Sequence, residues 1–236
     1  LPISGAPASI ALMAFSVLAL VVLLVLCRAG HRPFSGGYDA AFAAKGNTLY
    51  ASVMVLSAFL LLASAALNVW AFVRRENTMT TRLVLSVLCV AAFACVLSTA
   101  RNNLRGERKG KYSFTLLMPA YTCCMWLIVA YQARAADPVI LDYVYELFAI
   151  IAVLLGLYFI AGFSFERPKV RRAAFFSLLG VYFSILTLAD AHSLPDLLLY
   201  GFAILYLIAN TVVMLGNVRR CPPAENTERE VLPDEP

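Results

Sequence analysis

The sequence predicts an all-α fold, a polytopic bundle of seven transmembrane helices. The first observation behind this prediction is the composition. Of the 236 residues, 61% are hydrophobic and 14% are charged, and the mean hydropathy is +0.79. A soluble domain has roughly 45–50% apolar and about 25% charged residues, so this chain lacks the polar side chains that would cover a soluble surface. The composition therefore excludes a soluble enzyme, a nucleic-acid-binding domain and a disordered chain.

The second observation is the length of the apolar runs. A helix needs about 20 apolar residues to cross a hydrocarbon core of about 30 Å. Seven stretches qualify, namely residues 8–27, 49–73, 83–100, 114–132, 139–165, 173–191 and 197–216. The runs are continuous rather than alternating, which favours helices over a transmembrane barrel. Because the links are short, we expect one antiparallel bundle over residues 1–216, followed by a disordered cytoplasmic tail over 217–236.

Local signals mark several of the predicted helix ends. Asp137 stands directly before a proline, and Ser193 opens a Ser-Leu-Pro-Asp sequence. A capping side chain beside a proline is typical of a helix start. Pro119 lies in the first turns of the fourth span, where a proline can tilt or kink the helix.

The basic residues predict the orientation of the bundle. Fifteen of the 19 Lys and Arg residues fall on one side of the predicted spans: Arg28, Arg32, Lys45, Arg101, Arg105, Arg108, Lys109, Lys111, Arg167, Lys169, Arg171, Arg172, Arg219, Arg220 and Arg229. The other four are Arg74, Arg75, Arg82 and Arg134. Because basic loops stay in the cytoplasm, we expect the N-terminus outside and the C-terminus inside. The basic loop with Arg74, Arg75 and Arg82 runs against this assignment.

The same cytoplasmic basic residues indicate the expected partners. We expect an integral protein of a bacterial cytoplasmic membrane, with anionic headgroups at the cytoplasmic basic collar. Arg101, Asn102 and Asn103 end the third span and are assigned to this collar. The cytoplasmic loops offer a surface for a protein partner. The net charge of +5 follows from the collar, so no nucleic-acid partner is expected.

The sequence lacks the patterns of familiar membrane enzymes and cofactor sites. Its six cysteines form no CxxC pair and have no zinc-site spacing. The two histidines, His31 and His192, lie on opposite sides of the predicted membrane, which excludes a multi-pass hydrolase that gathers several His ligands for zinc on one side. The last span has no lysine for a retinal Schiff base, and no GxSxG, P-loop or HExxH motif occurs. We therefore expect no metal and no cofactor.

Small and polar residues inside the spans predict contacts between helices. Ala91, Cys95 and Thr99 recur every four residues and form a small-residue stripe, a predicted close-packing face of the third span. Asn68 and Asn210 lie late in the second and seventh spans. Each is predicted to form a hydrogen bond to a neighbouring helix rather than to a ligand.

One polar cluster on the predicted outer side is a candidate ligand- or cation-binding site. Its members come from the ends of the fourth to seventh spans: Arg134, Asp142, Glu146, Asp190, His192 and Asp196. Asp142 and Glu146 are four residues apart, so they share one helix face about 6 Å apart. Such a pair could bind a cation, pass a proton or receive a basic ligand. In the alternative interpretation, the long fifth span places both carboxylates among wet lipid headgroups, where they bind nothing.

These observations leave three classes of function open. The absence of catalytic motifs favours a non-catalytic sensor, receptor-like protein or accessory subunit. A small transporter or ion-coupled permease would use the outer acidic cluster, although such proteins usually place polar groups at the midplane. An intramembrane enzyme would use Glu146, Asp190 and His192 as acid and base.

Overall fold

A computed structural model describes residues 7–29, 34, 37–74, 79–105, 113–134, 144–165, 168–190 and 192–220. These residues form eight α-helices and a 3₁₀ turn at Phe163–Phe165, with no strand among them. The helices are α1 (Pro7–Ala29), α2 (Tyr38–Ala41), α3 (Thr48–Val73), α4 (Thr80–Arg105), α5 (Ser113–Arg134), α6 (Val144–Gly162), α7 (Val170–Thr187) and α8 (Leu194–Arg220). All except α2 are long and apolar enough to cross a membrane. The predicted helical class and the seven long apolar helices are therefore confirmed.

Several helices extend beyond the apolar runs that predicted them. Helix α4 begins at Thr80 and ends at Arg105, and α8 begins at Leu194 and ends at Arg220. The added turns carry polar residues, which a hydropathy pattern assigns to loops. Residues 217–220, which were predicted to belong to the tail, are the last turn of α8. The rest of the predicted tail, 221–236, and the predicted start of the fifth span at 139–143 lie outside the described residues.

Six of the long helices form a closed ring. Going round it, α3 packs on α4, α4 on α5, α5 on α6, α6 on α7 and α7 on α8, and α8 returns to α3. Helix α1 stands outside this ring against α7, where Ser16 lies 3.2 Å from the Tyr182 hydroxyl. Short links between antiparallel neighbours produce this order.

The interior of the ring is filled with apolar side chains, and the outside is apolar as well. Met54, Leu61 and Leu207 have no exposed surface. On the outward faces, Phe15 and Val87 are more than half exposed. Continuous exposed apolar surface of this kind is rare on soluble monomers, and in a bilayer it contacts acyl chains.

Helices α6 and α7 pack against each other with a glycine at the contact on each side. A Cβ atom added at Gly180 would lie 3.0 Å from the Val153 backbone nitrogen, and one added at Gly156 would lie 3.2 Å from Ser177 Cα. Because neither glycine carries a side chain, the two backbones approach each other closely, as is common where membrane helices pack.

The two ends of the ring differ in structure. At one end, called here the His192 end, α3, α5 and α7 finish and α4, α6 and α8 begin. At the opposite end, called here the Tyr38 end, α2 and the residues after it fold against the ring. Gly46 there has a φ of 72°, a left-handed conformation that favours glycine. Asn47 then caps α3, because its side-chain oxygen accepts a hydrogen bond of 3.1 Å from the Tyr50 nitrogen.

Candidate functional site

A polar cavity of about 220 Å³ opens at the His192 end. We call it the Arg82 cavity. It is lined by Arg82, Ala130, Ala133, Glu146, His192, Ser193 and Asp196. These residues come from the start of α4, the last turns of α5, the first turn of α6 and the start of α8 with the residues before it. The cavity therefore forms only when four separate segments of the chain pack together.

Arg82 links two neighbouring helices beside this cavity. Its Nη2 lies 3.5 Å from Asp196 Oδ2, and both side chains are 15% exposed. Its Nη1 donates to the Asn68 side-chain oxygen on α3 at 3.4 Å. Both distances are long for charge-assisted hydrogen bonds, which cluster at about 2.7–2.9 Å. Arg82 is thus held loosely by its partners.

Two buried donors next to this ion pair have no acceptor among the described residues. They are Nε of Arg82 and Nδ2 of Asn68. Buried polar groups are nearly always hydrogen-bonded, and a buried donor without a partner costs about 1–3 kcal/mol. Both donors lie behind the Arg82 cavity rather than on its wall, since Asn68 does not line it and neither atom has accessible surface.

The first turn of α8 fixes the position of Asp196. The Ser193 carbonyl accepts hydrogen bonds from the Asp196 and Leu197 nitrogens, each at 3.0 Å. The Ser193 hydroxyl donates to the Asp196 carboxylate. A carboxylate in the first helical turn is stabilised by the helix dipole. Ser64 on α3 then donates to the Pro195 carbonyl at 2.9 Å, so the start of α8 is tied to the ring.

His192 is held by a backbone carbonyl and by an aromatic ring. Its Nε2 lies 2.9 Å from the Thr187 carbonyl oxygen, and since a carbonyl only accepts, Nε2 carries the proton in this contact. The imidazole lies 5.3 Å from the Tyr200 ring, which packs edge-on against Trp126 at 4.7 Å. These buried rings separate the cavity from the apolar interior.

The structure brings three of the six predicted site residues to this cavity: Glu146, His192 and Asp196. Asp190 lies in the turn after α7, is exposed and does not line the cavity. Arg134 is the last residue of α5, but its side chain lies outside the described part of the chain. Asp142 lies outside it altogether, so the predicted pair with Glu146 stays a prediction.

Arg82 was not among the predicted site residues. Its position beside Arg74 and Arg75 predicted a basic loop, whereas Arg82 lies within the first turn of α4. One signal was present in the sequence, because Arg82 stands directly before an apolar run and on the same predicted side of the membrane as the acidic cluster. Hydropathy alone places such a residue outside the helix.

The predicted small-residue stripe on α4 lies partly on the buried face. Thr99 is buried, whereas Ala91 and Cys95 are partly buried. The fully buried positions follow another helical row, which includes Leu85, Cys89 and Val96. The stripe therefore borders the packed face.

A buried polar network occupies the Tyr38 end. The Asn103 side-chain nitrogen donates to the Tyr38 and Tyr50 hydroxyls at 3.1 and 2.9 Å. Tyr50 in turn donates to the Asn210 side-chain oxygen at 3.2 Å. The assignment of Asn103 to an exposed basic collar was wrong, because this residue is 6% exposed and its partners come from α2 and α3.

The predicted hydrogen bonds from the two asparagines inside the spans to neighbouring helices are confirmed. Asn68 accepts from Arg82 on the neighbouring α4, and Asn210 accepts from Tyr50 on the neighbouring α3. Each bond crosses between helices, which gives an amide in an apolar environment the partner it requires.

Neither metal ligation nor a disulfide is seen in the described part of the chain. Within that part, no three His, Cys, Asp or Glu side chains come close enough to hold a metal ion. The cysteines at 27, 89, 95, 123 and 124 are free thiols. Arg82, Glu146, His192, Ser193 and Asp196 bring charged and hydrogen-bonding groups to the Arg82 cavity.

Comparison with known proteins gives no match for this chain, whether with family models, curated proteins or solved structures.

Proposed function

We propose that this chain is a non-catalytic, receptor-like membrane sensor that binds a small polar ligand in the Arg82 cavity. The observation that carries the proposal is a cavity with charged walls at one end of the ring. The middle of the ring, by contrast, is filled with side chains. Arg82, Glu146 and Asp196 supply charge at the cavity. A ligand that contacts residues of α4, α6 and α8 can stabilise one relative arrangement of these helices over another. A sensor requires such a shift between arrangements.

The filled middle of the ring favours a sensor over a transporter. The void between Trp126 and Leu199 measures about 10 Å³, at the lower limit of the space that holds one water molecule. A permease needs binding groups near the midplane and a route past them. The charges of the Arg82 cavity lie at the ring's end instead.

One observation favours a transporter as the second candidate. A second cavity, of about 430 Å³, lies at the Tyr38 end and is bordered by Lys45 and Asn102. Cavities at both ends of a closed ring are also what a protein with alternating access presents. Uptake of a bound solute into proteoliposomes would assign the chain to this class, and ligand binding without uptake assigns it to the sensors.

We further propose that the N-terminus lies outside and the C-terminus lies in the cytoplasm of a bacterial cell. The support is the distribution of Lys and Arg: most of those that the structure describes lie toward the Tyr38 end. The Arg82 cavity then opens outward. The Tyr38 end, with the exposed Lys45, Arg101 and Arg219, faces anionic headgroups and a cytoplasmic partner.

The proposal is tested by ligand-dependent stabilisation of the full chain in lipid nanodiscs. A panel of small polar solutes is screened for a raised thermal midpoint, which any ligand that binds only the folded state produces. We expect Arg82→Gln to abolish the shift. Asp190→Asn is the matched control, since it removes a charge at the same end but outside the cavity.

A second variant separates loss of binding from loss of folding. Ala133→Phe narrows the cavity and leaves Arg82, Glu146 and Asp196 in place. We expect it to abolish the ligand-dependent shift while the unliganded thermal midpoint stays close to that of the parent. A ligand shift that persists in both Arg82→Gln and Ala133→Phe contradicts the proposal.

A further inference from the structure

A groove on the outward face of the ring lies between α3 and α4 at the His192 end. It is lined by residues of α3 between Leu62 and Val73 and by residues of α4 between Ser86 and Val90, and we call it the α3–α4 groove. We propose that this groove binds one acyl chain of an anionic phospholipid, whose phosphate contacts Arg74. The groove shares no lining residue with the Arg82 cavity, so the inference goes beyond the proposed function.

The groove exists because small side chains lie between larger ones. Ala65 and Ser86 are each 2% exposed, whereas Trp70, Val73 and Val87 are all more than half exposed. The space between them measures about 600 Å³, within the roughly 300–1,000 Å³ typical of ligand sites. The groove therefore has room for part of a second molecule.

The lining selects an apolar occupant. Ser86 is the one polar residue among those that line the groove. Its hydroxyl donates to the Arg82 backbone carbonyl at 2.8 Å, so this polar group already has a partner and requires none from the occupant. Around an outward face of a membrane helix pair, acyl chains are the apolar molecules at highest concentration.

The length of the groove matches one leaflet of a bilayer. Between Leu62 and Val73 it follows α3 for about 16 Å at 1.5 Å per residue, and half of a hydrocarbon core is about 15 Å. One turn further from the His192 end on each helix, the Phe59 and Phe93 rings contact each other with centroids 5.6 Å apart. An acyl chain from one leaflet fits this length. A helix of a second copy would have to cross both leaflets, past the two rings.

Arg74 lies beside the groove and offers a site for a phosphate. It directly follows the last turn of α3 and is exposed. Its guanidinium carbon lies 4.6 Å from the centroid of the Trp70 ring, and Trp70 lines the groove. A guanidinium stacked on a ring keeps the N–H donors at its edge available, and these match two phosphate oxygens. A phosphate bound there is next to an acyl chain in the groove.

The charge beside the groove favours an anionic headgroup over a zwitterionic one. Within the part of the chain that the structure describes, Arg74 has an aromatic contact and no acidic partner. The sequence that follows, 75–78, contains one arginine and one glutamate, so it does not cancel the charge of Arg74. A headgroup with a net negative charge compensates this arginine, whereas a zwitterionic headgroup brings its own cation.

The test measures which lipid contacts Trp70, using the full chain in nanodiscs of phosphatidylcholine. A small fraction of the lipid carries bromine on its acyl chains, either as phosphatidylglycerol or as phosphatidylcholine. Bromine quenches tryptophan fluorescence on contact, and the second tryptophan, Trp126, is 3% exposed and therefore shielded. We expect phosphatidylglycerol to bind at least about fivefold more tightly than phosphatidylcholine, which corresponds to about 1 kcal/mol for one basic residue at an anionic headgroup.

Variants of the basic residues test the role of Arg74. Arg74→Gln should reduce the preference for phosphatidylglycerol to about onefold. Comparing the two lipids within the same variant cancels any change in the brightness of Trp70. Arg219→Gln is the matched control and should keep the preference, because it removes the same charge from an exposed position at the far end of α8. Trp70→Phe should remove the quenching.

Variants of the groove test where the acyl chain lies. Ala66→Phe narrows the groove and leaves Arg74 in place. Ala63→Phe is the matched control, since Ala63 is also exposed on α3 but does not line the groove. Native mass spectrometry of the full chain in detergent counts the retained phosphatidylglycerol. We expect Ala66→Phe to retain one molecule fewer than the parent and Ala63→Phe to retain the same number.

Three results would overturn the proposal. Equal quenching by the two lipids, or a preference that persists in Arg74→Gln, would show that Arg74 selects no anionic headgroup. Equal lipid retention by Ala66→Phe and Ala63→Phe would show that the groove holds no acyl chain. A dimer that Ala66→Phe dissociates would assign the groove to a second copy of the chain.

Discussion

Single asparagine side chains join the segments that meet at the Tyr38 end. Asn103 donates to the hydroxyls of Tyr38 and Tyr50, and its carbonyl accepts the Ala44 backbone nitrogen at 3.1 Å. Asn217 donates to the Ala41 and Ala43 carbonyls, each at 2.9 Å. These bonds satisfy backbone and hydroxyl groups that would otherwise be buried without partners. They therefore hold the residues around α2 against the end of the ring.

Removing the Asn103 side chain should destabilise the protein. In Asn103→Ala both tyrosine hydroxyls lose a buried donor, so we expect a loss of about 1–3 kcal/mol and a lower thermal midpoint in detergent. Asn102→Ala is the matched control, because the neighbouring side chain is only partly buried. Equal midpoints for the two variants would contradict a structural role for the network.

The ion pair between Arg82 and Asp196 allows a second prediction for single residues. Removing one partner of a shielded pair leaves the other charge uncompensated, whereas replacing both with apolar residues removes that penalty. We expect Arg82→Leu and Asp196→Leu each to lower the thermal midpoint. The double variant should be less destabilised than the sum of the two. Additive effects in this double-mutant cycle would show that the residues are not coupled.

At the scale of helices, the α6–α7 pair depends on two positions without side chains. The backbones of Gly156 and Gly180 each approach the opposite helix so closely that a Cβ atom would contact backbone atoms of that helix, as well as the Leu207 side chain. Accommodating it requires the helices to move apart. This pair therefore fixes how the first turn of α6, with Glu146, is placed relative to the end of α7.

Gly180→Ala should separate α6 from α7. The added Cβ would meet the Val153 backbone at 3.0–3.1 Å, so we expect a loss of about 1–3 kcal/mol from overpacking, measured as a fall in thermal midpoint. Gly216→Ala is the control, because its Cβ meets nothing within 4 Å and alanine favours the helix. If Gly180→Ala is as stable as Gly216→Ala, the close approach does not limit packing.

Some elements could be predicted from the sequence, and others could not. The long apolar helices follow from hydropathy, because a run of that length in a bilayer must satisfy its backbone internally. Helix α2 has no such signal. Tyr38 and Phe42 are buried only because Phe163 lies 5.3 Å from the Phe42 ring and Asn103 bonds to Tyr38. These are contacts between distant segments, which a local pattern does not contain.

At the scale of the whole molecule, the same limit applies to the Arg82 cavity. The acidic residues could be assigned to one end by counting spans, so Glu146, His192 and Asp196 were predicted together. Arg82 could not be predicted as a member of the site, because an arginine beside an apolar run is typical of a loop. Only its hydrogen bond to Asn68 and its ion pair with Asp196 show that it lies at the cavity. Which charged side chains pair across the ring depends on how its helices pack.

The orientation of the ring decides which compartment supplies the ligand. Most of the described Lys and Arg residues lie toward the Tyr38 end, so we expect that end in the cytoplasm and the Arg82 cavity outside. In a cysteine-free background, Asp190→Cys should react with a membrane-impermeant maleimide on intact cells, whereas Lys45→Cys should react only after lysis. Both positions are exposed, and the cysteine-free parent must keep its thermal midpoint. The reverse labelling pattern would place the cavity in the cytoplasm, where a metabolite rather than an external solute would be its ligand.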